Sequence, residues 1–374
     1  MLEPWRHFDW MTIGLILSFA VLSYLGISGA NPSYGEPFKQ IVWYGIGLVL
    51  LLAVQWLDGR TVMQLTPLFY GTALFLLLVV LVLGSSTGEM RWLEYKGIKL
   101  QPAEIAKLAT ILMGARWFAL REEEGRESER FWDLWPFFAL FAVPAVLILL
   151  EPDLGNTIVL LFVLMAVLAV AARVRHVLAV IGIYAAGVLA LGGLYWFANP
   201  LFFKIIKVYQ WNRITAFLVD PPNPSDPDQY QIYMSLLAIG SGEMSGKAGS
   251  DAYLLTQHHW VPEAQTDFIF AVIAEHYGFL GGATVVLLYF FLMYRLIRIG
   301  MEVRTPFERY VVAGLVGMWT FQIFENIGMT IKLTPITGIT LPFLSYGGSS
   351  LTTNLFALGL VLAFGWRARR APRV

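Results

Sequence analysis

The chain of 374 residues is 57% hydrophobic and only 14% charged, which excludes an ordinary soluble domain and indicates a protein that crosses a membrane several times. Its formal net charge is zero, so no bulk basic character suggests binding to nucleic acid. The absence of cysteine excludes disulfides, thiolate metal sites and cysteine nucleophiles.

The first apolar run, 10–29, follows Arg6 and ends near a Ser28-Gly29-Ala30 sequence that resembles a signal-peptide cleavage site. The run has 20 residues, whereas the apolar region of a signal peptide has about 7–15. We therefore expect this run to be a retained transmembrane helix.

Further apolar stretches follow along the chain. Seven stretches, counting the first, lack Asp, Glu, Lys and Arg and are long enough to cross a membrane. They are 10–29, 40–57, 61–88, 134–150, 154–172, 176–203 and 333–366. Charges interrupt three more: Glu104 and Lys107 in 102–120, Asp267 and Glu275 in 267–294, and Glu325 in 310–331. The pattern predicts an all-α integral membrane protein of about ten transmembrane helices. The chain, 1–374, would form one membrane domain with a long extracytoplasmic loop, 198–266, between helices seven and eight.

The distribution of basic residues predicts the orientation. With both termini in the cytoplasm, sixteen arginines lie inside and only six basic residues lie in the short outer segments, as the positive-inside rule requires. The charges of the interrupted helices then lie toward the outer face, as do Glu151 and Asp153 between helices five and six. Ionisable groups within a membrane usually face a bundle interior or a wet cavity, so we expect one polar cavity that faces outward.

The segment QPAEIAKL, 101–108, places Glu104 and Lys107 three residues apart at the start of a helix. Residues at this spacing share a helix face, so the two charges can offset one another and point into the same cavity. A structural ion pair that holds two helices together is an equal alternative at this point.

The long outer loop carries aromatic residues, among them Trp211, that suit the membrane surface or the face of a sugar. Its glycine-rich segment, 240–250, is not a phosphate-binding P-loop, since only three residues separate Gly242 from Gly246-Lys247 and alanine follows the lysine. Backbone amides and Lys247 could still meet a phosphate there. The alternative is a flexible loop.

Asp267 begins the eighth predicted helix, in the sequence TDFIF. It could be the N-cap of that helix, alone or with Thr266. A carboxylate in this place would also be held ionised by the helix dipole, which is what a general base requires. The later segment LPFLSYGGSS, 341–350, predicts a tight turn and close helix packing with spare donors.

Several of these segments together resemble the SEDS (shape, elongation, division and sporulation) family. They occur in family order: Arg91-Trp92-Leu93, QPAEIAKL (101–108), EPDLGN (151–156), WNRITAFLVDP (211–221), LAIGSGEMSGKAG (237–249), VPEAQTDFIFAVIAEHYGFLGG (261–282) and LTPITGITLPFLSYGGSS (333–350). Ala103 replaces the family's serine, and GEMSGKAG departs from its usual glycine-rich loop. Chain length, the lack of a long N-terminal extension and Thr337 favour an elongation-type member, which acts in rod shape, over a division-type member.

The resemblance implies a peptidoglycan glycosyltransferase that polymerises lipid II at the outer face of the bacterial cytoplasmic membrane. It implies a class B penicillin-binding protein as partner, beside other elongation-complex proteins and membrane lipid, and no nucleic acid. Asp267 would be the catalytic base. The residues that would bind substrate are Arg91, Glu104, Lys107, Trp211, Arg213, Lys247, Glu325, Lys332 and Ser345. Lys107, Arg213 and either Lys247 or Lys332 would stabilise phosphate charge, and Glu104 would orient Lys107.

Other functions stay open at this point. They are a lipid II flippase, a scaffold for the transpeptidase, and a transferase for a different polyprenyl-linked sugar. A divalent cation, Mg or Mn, could assist at the diphosphate, although no dense carboxylate cluster specifies a site. We expect no nucleotide, haem or flavin.

Overall fold

The structure is a computed structural model that describes residues 9–30, 35–87, 91–95, 98–126, 129–220, 222–223, 225–248 and 253–370. Arg6, used above for the N-terminal segment, lies outside these ranges. The described chain is almost entirely helical, which confirms the predicted all-α class.

The α-helices are α1 (Trp10–Ala30), α2 (Glu36–Ala53), α3 (Gly59–Thr87), α4 (Pro102–Glu123), α5 (Trp135–Leu150), α6 (Leu154–Ala171), α7 (Val174–Phe197), α8 (Asn199–Ile205), α9 (Val208–Ala216), α10 (Pro227–Ser241), α11 (Ile269–Glu302), α12 (Pro306–Thr330) and α13 (Gly348–Arg370). Short 3₁₀ helices occur at Val54–Trp56 and Phe131–Leu134. Strands β1 (Leu93–Tyr95) and β2 (Ile98–Leu100) pair antiparallel, with Glu94 opposite Lys99.

Eight helices in the described chain are long and apolar enough to cross a membrane: α1, α2, α3, α5, α6, α7, α11 and α13. The charge-interrupted helices α4 and α12, of 22 and 25 residues, fall short of that apolarity. The protein is therefore an integral membrane protein, and the count of ten spans stays a prediction. Within the charge-free stretch 176–203, α7 ends at Phe197 and α8 starts separately just before Pro200.

The two charge-interrupted helices lie inside the bundle. Helix α12 packs against α6, α4 and α11, and fourteen of the 22 residues of α4 are buried. Helix α7 lies at the periphery, with most of its apolar side chains exposed. Apolar helices thus shield the polar ones from lipid, which is where ionisable groups are tolerated in a membrane.

Helix α11 breaks at Gly278, whose φ of 63° and ψ of −159° are non-helical. The glycine-rich segment pairs with the backbone around this break: Phe279 N donates to Glu243 O at 2.8 Å, and Ala248 N to His276 O at 2.8 Å. A Cβ atom on Gly246 would lie 2.1 Å from His276 O, so only glycine fits there. Residues 242–248 are therefore an ordered part of the fold, and the flexible-loop alternative is wrong for them.

Candidate active site at one end of the bundle

Asp267 lies in a turn, residues 263–268, that leads into α11; we call it the Asp267 turn. The backbone N of Asp267 donates to Glu263 O at 3.0 Å and closes the turn. Asn326 of α12 donates from Nδ2 to the backbone carbonyls of Asp267 at 2.8 Å and Ile339 at 2.7 Å. One buried amide therefore fixes the Asp267 turn against α12 and the segment that precedes α13.

Ser345 holds the same turn from the other side. Its hydroxyl donates to Thr266 O at 2.5 Å and accepts from Leu341 N at 2.8 Å, and the neighbouring Tyr346 N donates to Gln265 O at 2.9 Å. Ser345 was predicted to bind substrate, but the structure engages its hydroxyl within the protein. We assign it to positioning of the Asp267 turn.

The Asp267 carboxylate is partly buried, and its pKa is raised to about 6. Burial is the main cause, and the charge of Glu263 adds to it, whereas a hydrogen bond from Thr266 and the charge of Arg213 act in the opposite direction. A Cβ atom on Gly338, which has a φ of 71°, would come within 3.3 Å of Asp267 Oδ2. Glycine at this position therefore leaves room for the carboxylate.

The expectation that Asp267 caps α11 is wrong. The helix begins at Ile269, and Phe268 precedes it without a side-chain cap. A pKa near 6 still leaves the carboxylate mostly ionised at pH 7 and makes it a stronger base than an ordinary aspartate.

Glu104 and Lys107 form a buried ion pair, with 2.7 Å between Lys107 Nζ and Glu104 Oε1. Lys107 Nζ also donates to Asn156 Oδ1 of α6 at 2.7 Å, and Asn156 Nδ2 donates to Asp153 Oδ2 at 3.0 Å. Gln101 Nε2 approaches the same Asp153 oxygen at 3.3 Å. A polar network therefore joins the start of α4 to the start of α6.

This network favours the alternative of a structural ion pair. Lys107 is 0% exposed and Glu104 only 5%, so neither charge projects into open space as expected. Removing one member of a buried pair leaves the other charge without compensation, which makes such a pair a strong constraint on helix position. Direct contact of either residue with substrate stays a prediction.

A cavity of about 960 Å³ opens at this end of the bundle, between the ends of several helices. The Asp267 turn forms one wall through Glu263 and Thr266. The other lining residues are Phe38, Lys39, Val42, Trp43, Arg91, Trp92, Lys99, Glu151, Pro152, Tyr346, Gly347 and Gly348. Three cationic side chains and several aromatic rings therefore surround a space that could hold a sugar diphosphate.

Arg91, predicted to bind substrate, lines this cavity and holds the turn between α5 and α6. Its Nε donates to Glu151 O at 3.2 Å and its Nη2 to Pro152 O at 2.5 Å. The Glu151 side chain is 0% exposed, and neither carboxylate oxygen has a hydrogen-bond partner among the described residues. Burial, and then the charge of Asp153, raise the pKa of Glu151 to about 8 despite Arg91. Glu151 is therefore mostly protonated at pH 7.

The predicted residues of the long loop lie in different surroundings. Trp211 packs in an aromatic cluster, with ring centroids 4.5 Å from Tyr195 and 4.9 Å from Phe202. Two residues on, Arg213 is exposed and close enough to Asp267 to lower its pKa. Trp211 therefore packs α9 against its neighbours, and Arg213 lies near Asp267, the candidate base.

The remaining predicted residues are distributed around this end of the bundle. Lys332 Nζ pairs with Asp220 Oδ1 at 2.7 Å. Lys247 belongs to the ordered glycine-rich segment, and its backbone N donates to Glu275 O at 3.1 Å. Glu325 is buried next to Asn326, and its Oε1 has no hydrogen-bond partner in the described part of the chain. None of these three side chains lines the 960 Å³ cavity.

Four residues that matter for the site were absent from the predicted set: Asn326, Gly338, Glu151 and Asn156. Glu151 and Asn156 stand within EPDLGN, one of the segments that carried the family resemblance, so their location was a usable signal. Gly338 likewise stands within LTPITGITLPFLSYGGSS, another of those segments. Asn326 had no such signal, because its role depends on a contact with a turn 59 residues away in the chain.

Within the described residues, no group of three or more histidines, aspartates or glutamates is placed to hold a metal ion.

The sequence and the fold are both similar to those of one known protein family. A sequence model for FtsW, RodA and SpoVE, described as cell cycle protein, matches residues 3–369. The chain belongs to the FtsW/RodA/SpoVE family. This confirms the family likeness seen in the motifs.

Relatives and solved structures of the FtsW/RodA/SpoVE family match nearly the whole chain. Stage V sporulation protein E of Bacillus subtilis (strain 168) is 32% identical over 94% of this chain and 93% of its own length. A probable peptidoglycan glycosyltransferase FtsW of Shewanella sediminis is 36% identical over 90% and 80%. The rod shape determining protein RodA of Thermus thermophilus has a TM-score of 0.70 at 29% identity, over 98% of both chains. A chain from a peptidoglycan synthase complex that coordinates polymerization and crosslinking has a TM-score of 0.79 at 29% identity, over 97% and 99%.

Proposed function

We propose that the protein is a peptidoglycan glycosyltransferase that polymerises lipid II into β-1,4-linked glycan strands. The observation that carries the proposal is the partly buried carboxylate of Asp267, in a turn whose Glu263 and Thr266 line a 960 Å³ cavity with cationic and aromatic walls. The names of the FtsW relatives, which are called probable peptidoglycan glycosyltransferases, support the same activity.

In the proposed reaction, the Asp267 carboxylate accepts the proton of the 4-hydroxyl group on the N-acetylglucosamine of one substrate molecule. The freed oxygen attacks the anomeric carbon of the N-acetylmuramic acid in the second molecule. The bond from that carbon to the diphosphate oxygen breaks, and polyprenyl diphosphate leaves with the electron pair. A single displacement inverts the α-linked donor to a β-1,4 bond. General-base catalysis of this kind contributes about 10²–10⁴-fold to the rate.

The cations around the cavity are suited to the diphosphate. Arg91, Lys39 and Lys99 line it directly, and Arg213 stands near Asp267. These groups would stabilise the charge that grows on the leaving diphosphate. Lys107, first expected in that role, would instead hold α4 against α6.

The cellular setting is part of the proposal. We propose that the cavity faces outward from the bacterial cytoplasmic membrane, with both termini inside, and that a class B penicillin-binding protein is the partner. The similar chain within a peptidoglycan synthase complex supports such a partner. We also propose an elongation-type role in rod shape. Rescue of rod shape, rather than of septation, in cells depleted of their own family members would test that choice.

The decisive experiment uses the purified full chain in detergent with lipid II, with and without the partner and Mg or Mn. A polymerase makes glycan chains without a bilayer, whereas a flippase or a scaffold makes none. Asp267→Asn should lose detectable polymerisation while it elutes as a single species with the thermal stability of the original protein. Glu129→Gln, an exposed change at the other end of the bundle, is the control. Near-normal polymerisation by folded Asp267→Asn would reject the assignment.

A further inference from the structure

A second cavity, of about 330 Å³, lies at the opposite end of the bundle and has no part in the proposed reaction. It is lined by Phe118, Arg121, Glu122, Arg126, Val170, Ala171, Ala172, Arg173 and Tyr310. Glu104 lies at the first turn of α4 and Arg121 in its last turn, so about 25 Å of helix separates the two ends. We call this second space the arginine cavity.

Arginines outnumber carboxylates in the described wall of the arginine cavity. Among the described residues, three arginines and one carboxylate contribute to the wall, and that carboxylate, Glu122, accepts a hydrogen bond from the Tyr310 hydroxyl. Outside the wall, Glu124 approaches Arg126 at 3.2 Å. Arg121 thus supplies positive charge to the cavity, and these contacts of Glu122 and Glu124 do not involve it.

Arg121 carries an unused donor. Its guanidinium carbon lies 4.9 Å from the centroid of the Trp117 ring, which fixes the side chain in place. Its Nε atom is buried and has no hydrogen-bond partner among the described residues. A buried donor without a partner is costly, so an anionic acceptor in the cavity would relieve that cost.

The arginine cavity is also open toward the hydrocarbon region. Val170 of α6 lines it and is 49% exposed on the lipid-facing side of the bundle. Phe118, Ala171 and Ala172 continue the apolar part of the wall. A ligand with an anionic head and an apolar body suits this combination better than a small free anion does.

We propose that the arginine cavity binds the phosphate group of an anionic phospholipid from the adjacent leaflet. Basic pockets between transmembrane helices bind lipid head groups by the same physics, since guanidinium forks match phosphate oxygens. The lipid would place its phosphate at Arg121 and Arg173 and its chains along α6. It would thereby bridge the end of α4 to the turn between α6 and α7.

Native mass spectrometry of the full chain with added phosphatidylglycerol, phosphatidylcholine or inorganic phosphate tests the proposal without any need for enzymatic activity. Phosphatidylglycerol should bind more tightly than phosphatidylcholine. Arg121→Gln and Arg173→Gln should each weaken it about fivefold, from about 1 kcal/mol per basic residue near a membrane surface. Arg60→Gln, an exposed arginine at the start of α3 on the same face, is the matched control and should leave binding unchanged.

Each other outcome contradicts the proposal. Equal binding of the two lipids would show that no anionic head is recognised. Inorganic phosphate that displaces the lipid at millimolar concentration, with the same arginine dependence, would assign the cavity to free phosphate. Normal lipid binding by folded Arg173→Gln would overturn the proposal even if Arg121→Gln failed to fold, because the Arg173 side chain is exposed and its loss leaves the core intact.

Discussion

The pH dependence of polymerisation should report the ionisation of Asp267. The carboxyl has a pKa of about 6, so about 90% of it is ionised at pH 7 and about 10% at pH 5. If the ionised form is the base, the rate at low substrate concentration should fall about tenfold between these pH values. An aspartate with its ordinary pKa of about 3.8 would lose almost nothing over that range.

Two neighbouring charges should move this midpoint in opposite directions. Glu263→Gln removes the negative charge that raises the pKa of Asp267, so the fall in rate should occur at lower pH. Arg213→Gln removes the positive charge that lowers it, so the fall should begin at higher pH. Both side chains are exposed, and the two shifts should therefore shrink as salt is added.

The assay is polymerisation of labelled lipid II in detergent at low substrate concentration, in overlapping buffers from pH 5 to pH 8. Glu129→Gln should leave the midpoint unchanged, since this residue lies at the other end of the bundle. A flat profile between pH 5 and pH 7, or shifts of the same sign for the two variants, would refute the reasoning from burial and neighbouring charge.

Three further expectations follow from the site. Asn326→Leu leaves the Asp267 and Ile339 carbonyls without their donor. The value of kcat should therefore fall by about 10²-fold at nearly constant KM. A rise in KM at unchanged kcat would contradict a positioning role. Lys107→Met should lower the free energy of unfolding by about 3–5 kcal/mol, because Glu104 stays buried and unpaired. Adding Glu104→Gln should recover part of that loss. Additive effects of the two changes in denaturant unfolding would show that the two side chains are not energetically coupled. Glu151→Gln should match the original protein well below pH 4.5, where the carboxyl group is protonated in both the folded and the unfolded state. The raised pKa of Glu151 means that the folded state binds the proton more tightly than the unfolded state does. The original protein should therefore lose stability as the pH rises toward about 8, and Glu151→Gln should not. Equal losses of thermal stability in the two proteins would disprove this.

Local spacing predicted some contacts of this fold correctly. The i and i+3 positions of Glu104 and Lys107 predicted their contact, and the structure has it at 2.7 Å. The charge-free stretches likewise predicted the apolar spanning helices to within a few residues at most ends. Both inferences succeed because they depend on residues that are neighbours along one helix.

The missed features depend on residues that are far apart in the sequence. The second acceptor for Lys107, Asn156, lies 49 residues further on, and the clamp on Asp267, Asn326, lies 59 residues further on. The order of residues 242–248 depends on Gly278, which frees backbone groups of α11 for pairing. Composition marks that segment as a loop, but it carries no information on which backbone it will pair with.

The location of Asp267 explains why its chemistry differs from that of the other buried charges. Lys107 lies deep in the bundle, and there it is committed to two protein acceptors. A fully buried carboxylate such as Glu151 is mostly protonated at neutral pH even with Arg91 nearby, and in that form it could not accept a proton. In a turn beside the cavity, Asp267 is desolvated enough to gain basicity, while Arg213 and Thr266 keep it mostly ionised. Asn326 and Ser345 hold the turn through its backbone carbonyls, so neither of these two contacts occupies the Asp267 carboxylate.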